Sequence, residues 1–297
     1  MIEFDYKIGD KTPIVLALGF FDCLHIGHLK LLDKTKKLAN KLNAKDCVLT
    51  FKNDLISLFK GSKGLICTFD ERIDKLEKLQ INTVISTTFT KEFSNVLAED
   101  FLKELITNFN VKAVVCGVDY KFGKGGLGNV DTLKKFCLNY KIEVVVVDDV
   151  IVDNEKVSTT LIKKLLLDGE IKKANTLLSF QYEISGEVIK DRQVGRKLGF
   201  PTANVLISNE KAPLKIGVYK TEVEIDGTIY NCITNYGSRP TYNLDNALTE
   251  TYIDGYSGDL YGQKITIKFV DYLRDCVKFE SENHLISQLK LDLEKIR

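Results

Sequence analysis

The sequence predicts a two-domain chain: an α/β unit over residues 1–180, then an all-β unit over residues 181–297. Three observations predict it. At about 100–200 residues per domain, 297 residues are enough for two separate cores. Up to about residue 180, short β-branched runs alternate with amphipathic stretches, the order of a parallel sheet with helices on both faces. Beyond it, segments alternate polar and apolar residues and are broken by Gly, Pro, Asn and Asp, as in an antiparallel barrel or sandwich.

Buried strands are predicted at 14–19, 46–51, 83–86, 113–117 and 144–147. Helices are predicted over 29–42, 71–79, 93–108 and 130–140. Apolar residues recur there at three and four, as in Leu29, Leu32, Leu38 and Leu42. A helical pair, 160–167 and 170–178, precedes the change of texture. The second half offers strands at 183–190, 218–225, 228–235, 249–256 and 264–272, with Asp226-Gly227 as a tight hairpin turn. A last helix from Glu282 carries Leu285, Leu289 and Leu293 on one face.

With 42 basic and 41 acidic residues, the net charge of +1 gives no electrostatic case for nucleic acid or a membrane surface. Partners are therefore expected to be small molecules. The seven cysteines are scattered, without a CxxC pair, which fits structural thiols in a reducing compartment. Residues 1–10 are unlike a signal peptide, and the longest early apolar run, 14–21, is too short to span a membrane. The cytoplasm is the expected location.

Two segments carry chemistry. The first is GFFDCLHIGH over 19–28, between a predicted strand and a helix. A helix start offers free N–H groups and a favourable dipole to an anion. Gly27 admits a phosphate to the backbone, and His25 and His28 can donate to its oxygens as charge gathers during displacement. The second is GRKLGFPTAN over 195–204. Gly195 and Gly199 let backbone fold round a phosphate, Pro201 stiffens the loop, and Thr202 and Asn204 supply hard oxygens suited to Mg²⁺. Without its surroundings this run is also readable as a turn between strands.

The strand–HxGH–helix arrangement resembles the nucleotidyltransferase superfamily, whose two histidines bind the phosphates of ATP. GVDYKFG over 117–123 and STTLIK over 158–163 resemble the GxDFxFG and SSTxIR motifs of bacterial FAD synthetases. GVY (217–219), NYGSRPT (235–241), Glu250, GDLYG (258–262) and LRDCVKF (273–279) follow in the order of the riboflavin kinase module. Together they resemble the bifunctional prokaryotic riboflavin kinase/FAD synthetases over nearly the whole chain. That resemblance implies a Rossmann-like nucleotidyltransferase domain and a β-barrel kinase domain. It also implies ATP as co-substrate, Mg²⁺, and riboflavin, FMN and FAD as substrates or products.

By motif position, the resemblance puts ATP or its phosphates on Gly19, Phe20, Gly27, Ser158, Thr159, Thr160 and Lys163. In the kinase half it puts them on Gly195, Lys197, Gly199, Pro201, Thr202 and Asn204. The flavin falls to Asp22, Asp119, Tyr120, Phe122 and Arg274. His25 and His28 become the catalytic pair for adenylylation and Glu250 the candidate general base of the kinase.

The chain departs from the family pattern at several points. Cys23 replaces a glycine and would carry strain if that position needed positive φ. Gly126 and Lys163 stand for arginines, Lys190-Asp191 for a His-Gly pair, and Cys276 for a glutamate. Three alternatives stay open on those grounds: one activity retained, a flavin-binding regulator with a degenerate first half, and a cytidylyltransferase-like substrate such as glycerol phosphate.

Overall fold

The computed structural model describes residues 1–55, 64–190, 199–238 and 247–297. The chain divides into two compact units, Met1–Thr159 and Thr160–Arg297.

The first unit runs β1 (Ile2–Asp5), β2 (Pro13–Leu18), α1 (Ile26–Lys41), β3 (Lys45–Phe51), α2 (Phe69–Lys78), β4 (Thr83–Thr87), α3 (Ala98–Asn108), β5 (Asn110–Gly117), α4 (Val130–Asn139) and β6 (Glu143–Val147). A two-stranded hairpin follows, β7 (Ile151–Val152) with β8 (Glu155–Lys156). β1 to β6 form one parallel sheet in the order β1-β4-β3-β2-β5-β6. β2, β3 and β4 are buried nearly end to end, which is why they read as continuous apolar runs. β1, mostly exposed at the sheet edge, gave no such signal.

The predicted helix over 93–108 is two elements. A 3-10 turn, Phe93–Asn95, is followed by extended Val96 and Leu97 before α3 begins. No Gly or Pro marks that break. It is fixed by tertiary contacts: the Val96 carbonyl accepts the Lys124 N–H, and Phe93 packs edge-on against Tyr6, Phe51 and Phe101. α2 begins two residues earlier than predicted, where Thr68 and Glu71 form a reciprocal capping box.

The boundary falls at the first residue of α5 (Thr159–Asp168), and the second unit continues with α6 (Ile171–Leu177). Its strands are β9 (Glu183–Ile189), β10 (Thr202–Leu206), β11 (Gly217–Ile225), β12 (Thr228–Ser238), β13 (Ala247–Ile253) and β14 (Lys264–Arg274). They close into an antiparallel barrel in the order β10-β13-β12-β11-β14-β9. Asp226 (φ 49°) and Gly227 (φ 78°) make the predicted β11–β12 turn, which needs positive φ at both positions. Inside the barrel, the hydroxyls of Thr221, Thr234 and Thr251 bond in a chain at 2.7 and 2.9 Å, so these buried polar groups are satisfied. The helix α7 (Glu282–Ile296) lays Leu293 and Ile296 against Val218 and Ile233 of the barrel. α/β then closed β-barrel, with a C-terminal helix, is the expected fold class.

The 201–204 segment differs from a loop. Thr202–Leu206 is strand β10, hydrogen-bonded to β13 on one side and β9 on the other. Gly195 and Lys197 lie outside the described residues.

Candidate active sites

In the first unit the chain passes from β2 to β3 and β4 on one side of the sheet, and later to β5 on β2's other side. That makes a topological switch point between β2 and β5, where open α/β sheets bind ligands beyond the carboxyl ends of strands. The 19–28 loop leaves β2 at that end and the 117–123 segment leaves β5.

His25 is the N-cap of α1, and its Nδ1 accepts the backbone N–H of His28 at 3.1 Å. With Nδ1 engaged as acceptor, the proton of the neutral ring sits on Nε2. A Cβ on Gly27 would come within 3.0 Å of the His25 ring, so glycine here makes room for the cap. The two imidazoles stack with centroids 3.7 Å apart and planes 10° from parallel. His28 leans on Phe21 at 5.1 Å. Its Nδ1 is buried and has no hydrogen-bond partner among the described residues. Phe21 (φ 56°) and Leu24 (φ 45°) take the left-handed positions of the loop, while Cys23 does not, so its Cβ brings no backbone strain.

Burial pushes His25 down to about 4. Burial, then the charges of His25 and Arg72, holds His28 well below the ordinary histidine range. Both rings are neutral at pH 7 and each carries one N–H. Between the ordinary 6.5 and the folded value of about 4, the unfolded chain binds more protons than the folded one. The stability tied to His25 is therefore complete above pH 6.5 and is lost as pH falls through that window. His25→Asn keeps a capping acceptor but does not titrate. It is expected to make the urea midpoint less dependent on pH across that window, and an unchanged slope would refute the shift.

Other predicted residues gather nearby. Asp22 is buried, and its Oδ1 accepts the N–H groups of Ile66 (2.9 Å) and Cys67 (3.1 Å), tying that loop to the 19–28 loop. The Cys23 Sγ meets the Thr159 Oγ1 at 3.5 Å, which brings Thr159 beside the loop. Tyr120 and Phe122 stack at 5.4 Å. Asp119 Oδ2 accepts from Lys156 Nζ at 2.7 Å, which holds its carboxyl below the usual range. Thr160 and Lys163, three apart on α5, fall in the second compact unit and are not among the residues gathered there.

Two cations were missed from sequence. Lys156, on β8, bridges Asp119 and Asp149 (2.9 Å to the latter), and its charge contributes to lowering His25. Its cue was a basic residue two positions before Ser158. Arg72 is fully buried and donates from one nitrogen to Thr50 Oγ1 (2.8 Å), Phe51 O (2.9 Å) and Phe20 O (3.2 Å). Its guanidinium lies 4.6 Å from the Phe20 ring centroid. The cue was its place four residues before buried Leu76 on α2.

In the barrel, strand register assembles the second site. Asn204 of β10 faces Glu250 of β13, Glu250 faces Asn235 of β12, Asn235 faces Val218, and Val218 faces Arg274 of β14. Residues directly opposite project to the same side of a sheet, so these form one row. Two cavities meet this row. One, of about 480 Å³, is lined by Pro201, Thr202, Asn204, Gly258, Asp259 and Tyr261, among others. The other, of about 240 Å³, has apolar walls from Phe200, Tyr252, Phe279 and Leu289, with Glu250 and Asn235 among its polar groups. Thr202 lines both. Gly199 takes φ 80° in the exposed turn just before.

Asn204 Oδ1 is buried and without a hydrogen-bond partner among the described residues. An orphaned carbonyl oxygen two residues from the Thr202 hydroxyl, on one strand and one cavity, fits a hard divalent cation such as Mg²⁺. Arg274 lines the smaller cavity but spends its fork on Asp292 of α7, at 3.0 Å (Nε) and 2.7 Å (Nη2). Asp292 is fully buried and also accepts from Gln288 at 2.9 Å. This pair fastens α7 to the barrel; Asp292 stands seven residues after Leu285 on the helix's buried face, an acid within the apolar stripe that sequence reasoning passed over. Cys276 is the single exposed thiol of the seven, and its Sγ meets Asn235 Oδ1 at 3.1 Å beside Glu250.

Among the described residues no helix is long and apolar enough to cross a membrane. Residues 7–161 match the FAD synthetase family and residues 178–297 the riboflavin kinase family. A bifunctional riboflavin kinase/FMN adenylyltransferase of Listeria monocytogenes is 31% identical over 95% of this chain and 91% of its own. The enzyme of the same description from Haemophilus influenzae is 32% identical over 94% and 92%. A solved structure from Streptococcus pneumoniae, described as a macrolide-efflux protein, superposes with a TM-score of 0.90 at 30% identity, covering 100% of this chain and 99% of that one. The barrel row, the switch-point loop and these matches agree: the chain belongs to the bifunctional riboflavin kinase/FMN adenylyltransferase family.

Proposed function

We propose that the chain converts riboflavin to FMN at the barrel row and FMN to FAD at the switch-point loop, each step consuming one ATP. On this reading the functional division falls near residue 180, with adenylylation over 1–180 and phosphorylation over 181–297. The observation that carries the kinase half is Thr202, which stands between a larger cleft of mixed polarity and a mainly apolar pocket containing Glu250. The cleft suits a nucleotide and the pocket a planar flavin.

In the kinase site, the 5′-hydroxyl oxygen of riboflavin attacks the γ-phosphorus of ATP, its proton passes to the Glu250 carboxylate, and ADP leaves. The row Asn204–Glu250–Asn235 fixes that carboxylate on rigid strands rather than on a loop. Thr202 Oγ1 and Asn204 Oδ1 are the oxygens that would hold Mg²⁺, which supplies charge neutralisation on the phosphates when bound. In the adenylylation site, an FMN phosphate oxygen attacks the α-phosphorus of ATP and pyrophosphate leaves. The nucleophile is already anionic, so no base is needed and positioning with charge stabilisation suffices. His25 Nε2 and the N–H of His28 donate to phosphate oxygens, Ser158 and Thr159 border the loop, and Lys156 supplies a cation. Asp119, Tyr120 and Phe122 face the flavin, with Asp22 holding the loop beneath it. A cytoplasmic location is consistent with seven unpaired cysteines.

The test is incubation of the full chain with riboflavin and Mg·ATP, followed by chromatographic separation of flavins. FMN is expected first and FAD after it. Unchanged riboflavin would overturn the kinase reading, and FMN that never becomes FAD would overturn the other.

A further inference from the structure

The geometry points to a capture site for a thiophilic divalent cation of the Zn²⁺ class, formed by Cys23, His25 and His28. Their candidate ligand atoms all lie within 4.8 Å of one another. One nitrogen of each imidazole and the thiol on the same loop make a three-ligand set. Such a set, with a fourth position left open, is one that Zn²⁺ accepts. Around a tetrahedral ion with Zn–N of about 2.0–2.1 Å and Zn–S of about 2.3 Å, ligand atoms stand roughly 3.3–3.7 Å apart. Each ring nitrogen binds a metal in its own ring plane, so the two rings tilt out of their near-parallel stack to share the ion.

The groups are available. His28 Nδ1 is buried and has no hydrogen-bond partner among the described residues. Cys23 Sγ holds a long contact of 3.5 Å to the Thr159 hydroxyl and a weak bond from the His25 backbone. His25 surrenders one bond, from the His28 amide. The buried carboxylate of Asp22, next to Cys23 in the chain, favours a cation. Burial keeps the Cys23 thiol protonated, so binding expels its proton as the thiolate–metal bond forms. Where the commonest form of the motif has glycine at this position, the third ligand is missing, so the site is a property of this chain's Cys23.

The metal would hold the two imidazole rings that the adenylylation reading assigns to phosphate, and would therefore stop FAD synthesis while sparing the kinase. Metal binding does not depend on that reading; the loss of FAD synthesis does.

Co²⁺ titrated into the full-length protein is the direct probe. A thiolate-to-cobalt charge-transfer band is expected, displaced by stoichiometric Zn²⁺. Cys23→Gly should lose the band and bind Zn²⁺ more than about 100-fold more weakly, since even outer-shell partners are worth 10–100-fold in affinity. Cys23→Ser, of nearly the native volume, repeats the comparison if the glycine variant does not fold. Protein preloaded with one equivalent of Zn²⁺ is expected to convert FMN to FAD at least tenfold more slowly, with riboflavin phosphorylation unchanged and both rates unaffected in Cys23→Gly. Absence of the thiolate band, or equal Zn²⁺ affinity in the variants, would overturn the site. A band with undiminished FAD synthesis would support the site and overturn the phosphate role of the histidines.

Discussion

Glu250→Gln is expected to slow riboflavin phosphorylation by about 10²–10⁴-fold, the usual worth of a positioned general base. Glutamine keeps the length and one acceptor oxygen, so the row with Asn204 and Asn235 and the apolar pocket should persist. What disappears is the group that takes the hydroxyl proton. The loss should therefore fall on kcat, with KM for riboflavin little changed. FMN supplied directly should become FAD at the native rate, because His25 and His28 lie in the other compact unit. A variant that phosphorylates at more than half the native rate would remove Glu250 from proton transfer. A variant that fails to adenylylate supplied FMN would break the assignment of reactions to units.

Much of this was legible in the sequence, and the unread part has physical causes. The interior strands β2, β3 and β4 announced themselves because a sheet covered on both faces needs apolar residues at every position. The 19–28 loop was readable because a strand, a glycine and two histidines just ahead of a helix carry their own chemistry. β10 was not readable as a strand. Asn204 disfavours a strand and Pro201 precedes the segment, yet the closed barrel pairs the Asn204 backbone on both sides whatever its side chain prefers. Arg72 looked like one more polar residue of an amphipathic helix. Its burial depends on three oxygens contributed by Phe20, Thr50 and Phe51, which no local pattern reveals. Arg274 shows the converse: its motif marked it for flavin, whereas the structure directs its fork to Asp292, 18 residues on. Long-range pairs of this kind set the electrostatics of both candidate sites, and they are the part that spacing cannot carry.

His28→Ala is expected to stop the pathway at FMN, slowing adenylylation by about 10²–10³-fold, the cost of removing one donor from a charge-stabilising site. The fold should survive the change. His25 caps α1 through the backbone N–H of residue 28, which alanine retains, and the Arg72 bonds to Phe20, Thr50 and Phe51 are untouched. The lost groups are one neutral imidazole N–H and the surface on which the His25 ring stacks. Because phosphate charge spreads during displacement at the α-phosphorus, that donor counts most in the transition state. The decrease should thus appear in kcat for FMN adenylylation more than in KM for ATP. Riboflavin phosphorylation by the same variant serves as the internal control and should match the native rate. Chromatography of a reaction started from riboflavin would then show FMN accumulating with FAD nearly absent. FAD formed at the native rate would mean that the ring of His28 does not reach the phosphates, leaving His25, Lys156 and the α1 backbone to hold the charge alone.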